Sequence, residues 1–536
     1  STAAQDYTAP RTELERSICS IWEEVLGLDR VGVTDNFFRI GGDSILSIQV
    51  SSRIRQAGFV CQVKDIFEYK SVENLSRYLE GENSDFVIVS EQGELEGEFD
   101  LLPIQQWFIS RVNTGMLSKP DHWNQSFLIH VGALDLVKLE SAIVELVSYH
   151  DILRVGFSKD VDGIFGKSQL YHSSIDLPEL KTLDISEYNE KEIHDYLTDW
   201  QSGFDLEQLP LFSIGYLYGY KDGSARIYFA LHHLIVDGVS WRILADDIRT
   251  LYSGKRLPQK GSSYRQWVNR INGYAQDHPL ELLYWEEQLD GMPGYESLAH
   301  SESHTTFLEL DKSLTECLLH TAPKAYHTEI NDLLLTALGY ALRDINQSDI
   351  QGITLEGHGR ENIDPSIDHS HTVGWFTSMF PVRLELKGGL KESIQFIKES
   401  LRSIPNKGVG FGSFATDETV LYGHEDLPGI SFNYLGQFDI REGDDWQVVF
   451  ESSGSSIDSM NRNHHLININ GSVNKSKLGF SIVSMLGEDM SKELTASFKN
   501  HLIKVIEHCS EKVSRSESSY TPSDFTSVRI SQSLLD

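Results

Sequence analysis

Two adjacent histidines, His232 and His233, sit in the stretch Leu231 to Trp241, LHHLIVDGVSW, with Asp237 and Gly238 close behind them. Imidazole is the side chain that exchanges a proton near neutral pH, so this stretch is a candidate for general acid or base chemistry. Ahead of it, Ile227, Phe229, Leu231 and His233 alternate with Arg226, Tyr228, Ala230 and His232. A strand of this pattern turns the two rings to opposite faces, so they have different jobs. After the glycine, Leu244, Ile248 and Leu251 recur at helical spacing, which sets the pair at a strand end, where a sheet presents side chains to a cleft. A carboxylate in a comparable position is Glu356. It ends the alternating run Ile350 to Glu356, immediately before Gly357 in LEGHGRE, and a cleft could bring it opposite an imidazole. The plainer readings are a hydrogen-bonded core histidine and a surface or salt-bridged glutamate. Asp237 reads as structural, holding its loop, with Arg154 as its expected partner, because a buried carboxylate is normally paired.

The elements that must position these residues are legible in order. Thr12 and Glu15 form a capping box ahead of Leu14, Ile18, Ile21, Trp22, Val25 and Leu26 at helical spacing. Gly41 and Gly42 loosen the chain before a second amphipathic segment with Leu46, Val50 and Ile54, which sets Ser44 at a helix start. Short helices around Val63 to Phe67 and Val72 to Leu79 complete a four-helix unit over 1–80. The polar, acidic run 81–97, with Glu82, Asp85, Glu91, Glu94 and Glu96, reads as a solvated linker. Next, Pro103 suits a first helical position and Asp135 a helix cap ahead of Leu136, Leu139, Ile143 and Leu146. Gly291, Pro293 and Gly294 mark a hinge between lobes of about 98–290 and 295–515. A helix over Thr328 to Leu342 opens the second lobe, and 516–536 is a tail with Val528, Ile530 and Leu534.

The chain has 536 residues, room for several domains, and 46 basic against 79 acidic residues give a net charge of −33. That balance argues against nucleic acid or an anionic membrane as partner. There is no apolar run of bilayer-spanning length and no amino-terminal signal pattern, and the first residue is not methionine, so a cytoplasmic protein cut from a longer polypeptide is expected. Cys19, Cys61, Cys317 and Cys509 are far apart and read as reduced thiols. No metal is expected: His464 and His465 lack the further ligands a zinc site needs.

The pattern His-His-x-x-x-Asp-Gly resembles the active-site signature of the condensation and epimerization domains of nonribosomal peptide synthetases. LLPIQQWF from Leu101, HWNQS at His122 to Ser126, YHDILR at Tyr149 to Arg154, LEGHGRE, TVGWFTSMFPV at Thr372 to Val382, PNKGVGFG at Pro405 to Gly412 and FNYLGQFD at Phe432 to Asp439 follow in the order of epimerization domains. Phe380 and Phe411 stand where tyrosine is frequent. Residues 1–80 are similar to a peptidyl carrier domain, with Ser44 matching the serine that receives phosphopantetheine; Asp43 before it is usual in carriers serving epimerization domains. The resemblance implies a small all-α carrier followed by an α/β domain of two chloramphenicol-acetyltransferase-like lobes.

It also implies a chemistry. An aminoacyl or peptidyl thioester, held on the phosphopantetheine of Ser44, is epimerized at its α-carbon from L toward D. His233 and Glu356, from opposite lobes, are the expected acid/base pair. Asn433 and Tyr434 are candidates for binding the thioester or enolate oxygen, and His232 supports the loop. Expected partners are an upstream adenylation domain, a phosphopantetheinyl transferase and a downstream condensation domain reached through the tail. The rival readings are a condensation domain forming a peptide bond and a noncatalytic docking platform of the same fold.

Overall fold

The structure, a computed structural model, describes residues 7–42, 44–81, 88–295, 298–300, 302–415, 427–437, 445–449, 451–461, 465–525 and 532, without the side chains of 44, 45 and 56. Asp43, Glu82, Asp85, Phe438, Asp439, His464 and the tail residues Val528, Ile530 and Leu534 lie outside these residues.

Four helices open the chain: α1 (Glu13–Leu26), α2 (Ser44–Gln56), α3 (Val63–Tyr69) and α4 (Val72–Gly81). Thr12 Oγ1 accepts from the Glu15 amide at 3.1 Å while Glu15 accepts from the Thr12 amide at 3.2 Å, the reciprocal box the sequence encodes. Gly27, at φ 66°, ends α1 in the left-handed conformation that costs a glycine nothing. Ile18, Trp22, Val31, Phe37, Val50, Ile54, Ile66 and Leu75 form a core of this unit's own.

Among the described residues fourteen strands, numbered along the chain, make three sheets. A small one orders β1 (Gly97–Asp100), β4 (Ser168–Tyr171) and β3 (Val155–Gly156). The first lobe is built on a five-stranded sheet. Its order is β12 (Gln447–Val449), β2 (Asn124–Val131), β7 (Ala225–His232), β6 (Phe212–Tyr218), β5 (Lys181–Asp184). The second lobe orders β10 (Ser378–Glu385), β9 (Ile350–Gly357), β11 (Ile430–Gln437), β13 (Ile467–Asn474), β14 (Lys477–Ser484) and β8 (His304–Glu309). Every residue of β7 is buried, as expected of a strand flanked on both sides and covered on both faces. Three helices of the first lobe matter for the site: α5 (Pro103–Asn113), α6 (Leu136–Tyr149), whose cap Asp135 accepts from Val137 and Lys138, and, beyond α7 (Glu190–Ser202), α8 (Gly238–Tyr252). The helices Ile330–Asn346 and Glu488–Ser514 pack on the second sheet.

The lobes are not two consecutive stretches. β12, from late in the chain, pairs antiparallel with β2 (Val448 opposite Ile129), and Asn124 N donates to Ser456 O at 2.8 Å. The late segment leaves the second lobe and closes the first lobe's sheet, covering the edge that β2 would otherwise expose. The run before β1 is likewise not a solvated tether. Glu91 accepts from Arg265 at 2.6 Å and Ser263 at 2.5 Å, Glu94 accepts from Ser148 at 2.5 Å, and Leu95 is buried. Beyond the last helix, Ser519 N donates to Ala325 O at 2.9 Å and Lys398 meets Asp524 at 2.7 Å, so the chain stays on the second lobe through Phe525.

Candidate active site

β7 ends at the histidine pair, and its alternation separates the two rings. His232 is fully buried. Its Nε2 donates to the Pro120 carbonyl at 2.8 Å and its Nδ1 accepts from the Leu234 amide at 3.2 Å. Both nitrogens are thereby used by a neutral ring, and burial pushes its pKa down to about 3. His233 starts the following turn and is only partly buried. Its amide donates to Trp123 O at 2.9 Å, its ring lies 4.3 Å from that of Trp375, and Gln125 Nε2 donates to its Nε2 at 2.8 Å. Gln125 sits on β2 opposite Leu231, so the strand register sets this contact. Burial holds the His233 pKa down to about 4 despite the nearby Asp237 charge, so the imidazole is neutral at pH 7 and its Nε2 lone pair is oriented.

Asp237 caps α8. Its Oδ1 accepts from the Ser240 amide at 2.8 Å and Ser240 Oγ at 2.7 Å, and its Oδ2 from the Phe376 amide at 3.1 Å. Its cationic partner is Arg360, 3.2 Å away, and not Arg154. Arg154 instead braces its own turn, donating to Asp151 at 2.6 Å, Ser148 O at 2.8 Å and His172 O at 3.0 Å. Asp151, three residues back on the same turn, is the nearer carboxylate. Arg360 lies in LEGHGRE, four residues beyond Glu356, and the side chain has no exposed surface. It also donates to His369 O at 3.0 Å and Thr372 O at 2.6 Å and covers the Phe376 ring. One guanidinium therefore joins the histidine loop of the first lobe to the connection between β9 and β10. The sequence does carry a signal for it: an arginine beside a candidate catalytic glutamate.

Glu356 ends β9 and is partly buried. β11 runs parallel to β9 with Phe432 opposite Leu355, which brings its next residue beside the glutamate. Asn433 Nδ2 donates to Glu356 Oε2 at 3.0 Å and Ser431 Oγ to Oε1 at 3.1 Å. Desolvation raises the Glu356 pKa, while these two donors favour the carboxylate and oppose the rise. Tyr434, next along the strand, turns away from Asn433's face and packs its ring at the margin of the second lobe's core. Ser431 is a site residue that the motifs do not single out; its period-2 spacing from Asn433 is the signal that could have found it.

The four-helix unit rests against the first lobe through α2. Ile48 is fully buried in that lobe's core, Arg53 meets Asp246 of α8 at 2.9 Å, and Arg55 pairs with Asp368. Gln62 Nε2 donates to Pro365 O at 3.0 Å. Gly42 precedes α2 where an added Cβ would lie 2.3 Å from the Phe37 ring, so a side chain there would displace the core. Ser44 is the first residue of a 13-residue helix with no acidic residue in its first turn, which favours a phosphodiester at this end. No helix among the described residues is long and apolar enough to cross a membrane.

Two family models match this chain: a phosphopantetheine attachment site over residues 16–79 and a condensation domain over residues 95–525. A component of the mycosubtilin synthase of Bacillus subtilis is 37% identical over 562 residues, covering 99% of this chain and 21% of that protein. Gramicidin S synthase 1 of Brevibacillus brevis is 34% identical over 562 residues, covering 97% of this chain and 50% of that protein. The chain thus spans a half or less of these relatives. Among solved structures, the epimerization domain from the third module of tyrocidine synthetase B superposes with a TM-score of 0.70 at 32% identity, covering 79% of this chain and 99% of that one. The condensation domain of the monacolin K polyketide synthase shares the fold, with a TM-score of 0.61 at 16% identity, covering 77% of this chain and 98% of that one. The chain therefore belongs to the condensation-domain family, as a stretch of nonribosomal peptide synthetase in which a phosphopantetheine-carrying helical domain precedes a two-lobed α/β domain similar to an epimerization domain.

Proposed function

We propose that this chain is a carrier–epimerization unit, converting the α-carbon of an aminoacyl or peptidyl thioester from L to an L/D mixture. The observation that carries the reading is the state of the His233 and Glu356 side chains. Both are partly buried at strand ends, each is oriented by a strand-borne amide, and desolvation drives both toward their neutral forms. A neutral imidazole takes up a proton, and a carboxyl held toward its acid form gives one back. Phosphopantetheine on Ser44 supplies the thiol that holds the acyl group as a thioester, whose α-proton is more acidic than that of an ester or amide.

In this reading His233 receives the proton at Nε2, whose lone pair Gln125 holds in the free protein and releases as the substrate α-carbon takes its place. Glu356 returns a proton, and Asn433 either fixes its carboxyl or donates to the carbonyl oxygen as negative charge develops there. Tyr434 shapes the wall behind Asn433. Asp237, Arg360 and His232 hold the loop. The domains run as carrier 1–80, linker 81–97, epimerization domain 98–515 and a tail 516–536, whose first ten residues stay on the second lobe and whose remainder docks a downstream condensation domain; an adenylation domain upstream loads the carrier. The second reading, peptide-bond formation, draws on the condensation-domain match over residues 95–525. The test loads Ser44 from L-aminoacyl coenzyme A analogues with a phosphopantetheinyl transferase in heavy water, then releases the amino acid. A mixed D/L product with deuterium at the α-carbon, absent in His233→Ala, is expected. An unchanged L-residue without deuterium across a broad substrate panel refutes epimerization and favours condensation or docking.

A further inference from the structure

The contact between α2 and the first lobe contains a buried polar chain that the proposed chemistry does not use. Ser52 Oγ lies 2.6 Å from His371 Nδ1. His371 Nε2 lies 2.9 Å from Asp247 Oδ2, and the same oxygen is 2.8 Å from His150 Nε2. All four residues are at most 5% exposed. They come from four places: α2, the segment before β10, α8, and the end of α6. His150 Nε2 is hydrogen-bonded to the Asp247 carboxylate, and the same anion 2.9 Å from His371 Nε2 favours the tautomer protonated there, which makes His371 Nδ1 an acceptor and the Ser52 hydroxyl its donor. Asp246, the neighbour of Asp247 on α8, faces Arg53, the neighbour of Ser52 on α2. Asp246 thus meets Arg53 directly in a charge pair, while Asp247 reaches Ser52 only through the intervening His371 ring.

The two contacts differ in what they demand. Arg53 keeps 17% and Asp246 20% of its side-chain surface, so water softens the loss of that pair. The Ser52–His371 contact is dry, and a carrier lacking the hydroxyl leaves the His371 Nδ1 acceptor buried without a donor, the arrangement that costs most. We infer that the His150–Asp247–His371 chain is a selectivity element for the carrier. The two-lobed domain accepts a carrier whose second helix offers a hydroxyl at position 52, eight residues after Ser44, followed by arginine. This deepens the carrier reading of the first four helices and does not depend on the epimerization step.

The test uses the full chain, labelled at isoleucine δ1 methyls, with Ile48 as the reporter because it is buried in the first lobe's core. Its methyl shift is read between the wild-type position and that of Arg53→Glu, which turns the Asp246 contact into a repulsion. Ser52→Ala lowers the docked-to-undocked ratio about tenfold. His371→Ala does the same, and the double variant adds nothing further, since either change removes the same contact. His371→Gln, which retains an acceptor of similar reach, guards against a folding defect and keeps more of the docked state than His371→Ala. The inference is overturned if Ser52→Ala keeps the wild-type Ile48 shift, or if the Ser52 and His371 effects add. Because the readout is a methyl shift on unloaded protein, an absent epimerase activity leaves it intact.

Discussion

Replacing Arg360 with methionine removes the cation from a carboxylate that has no other charged partner among the described residues. Arg360 and Asp237 keep 0% and 5% of their side-chain surface. In Arg360→Met, Asp237 retains the Ser240 amide, the Ser240 hydroxyl and the Phe376 amide, but its charge is left in a dry site. Breaking one side of a buried pair costs about 3–5 kcal/mol. The two carbonyls that lose a donor, His369 O and Thr372 O, lie within that range at ~1 kcal/mol each. Asp237→Asn leaves the guanidinium unpaired at a similar cost. The double variant is expected to be about 1–3 kcal/mol more stable than the sum of the singles, because neither uncompensated charge remains. Urea unfolding followed by tryptophan fluorescence reads this in the larger domain, since of the nine tryptophans only Trp22 lies in the carrier. Arg154→Met is the control: it breaks the Asp151 contacts and should show no coupling to Asp237→Asn. Strict additivity of Asp237 with Arg360, or coupling of Asp237 with Arg154, refutes this account of the histidine loop.

Glu356→Gln keeps groups that answer the Ser431 and Asn433 donors, so its unfolding midpoint should stay within about 1 kcal/mol of wild type while α-deuterium incorporation disappears; retained incorporation removes Glu356 from the proton path. Gln125→Glu places a negative charge against His233 Nε2 and raises its pKa, so the acid limb of the exchange rate, expected near pH 4 in wild type, should move to higher pH; an unmoved limb dissociates Gln125 from His233. His232, His358 and His369 are each pushed down to about 3 by burial, so the unfolded chain binds protons near pH 6.5 that the folded chain refuses. Stability is therefore fully present above pH 6.5 and falls as pH drops from there toward 3, and a urea midpoint that is flat between pH 6.5 and 5 contradicts the burial of these rings. Ser44→Ala should gain no mass on treatment with coenzyme A and a phosphopantetheinyl transferase, whereas a mass gain moves the attachment serine elsewhere.

Much of this protein is legible in one dimension because the physics involved is local. Period-2 alternation sets His232 and His233 on opposite sides of β7, and a capping box at Thr12 and a cap at Asp135 open helices where they stand. The order of motifs carries the resemblance to carrier and epimerization domains. What the tertiary structure decided was the choice among partners at long separation. Arg154 and Arg360 are both buried arginines, and only the packing of the β9–β10 connection against α8 assigns Asp237 to the second. The linker glutamates look solvated because their composition is that of exposed chain; Arg265, more than 150 residues later, captures Glu91. β12 carries a short run indistinguishable from other edge strands, and only the open edge of β2 gives it a place. The carrier's resting surface belongs to the same class. Ser52 is an ordinary helical serine until His371, 319 residues away, turns an acceptor toward it. Periodicity and caps act over a few residues and are written in sequence order, whereas a buried charge or acceptor is satisfied by whichever group folding brings within about 3 Å.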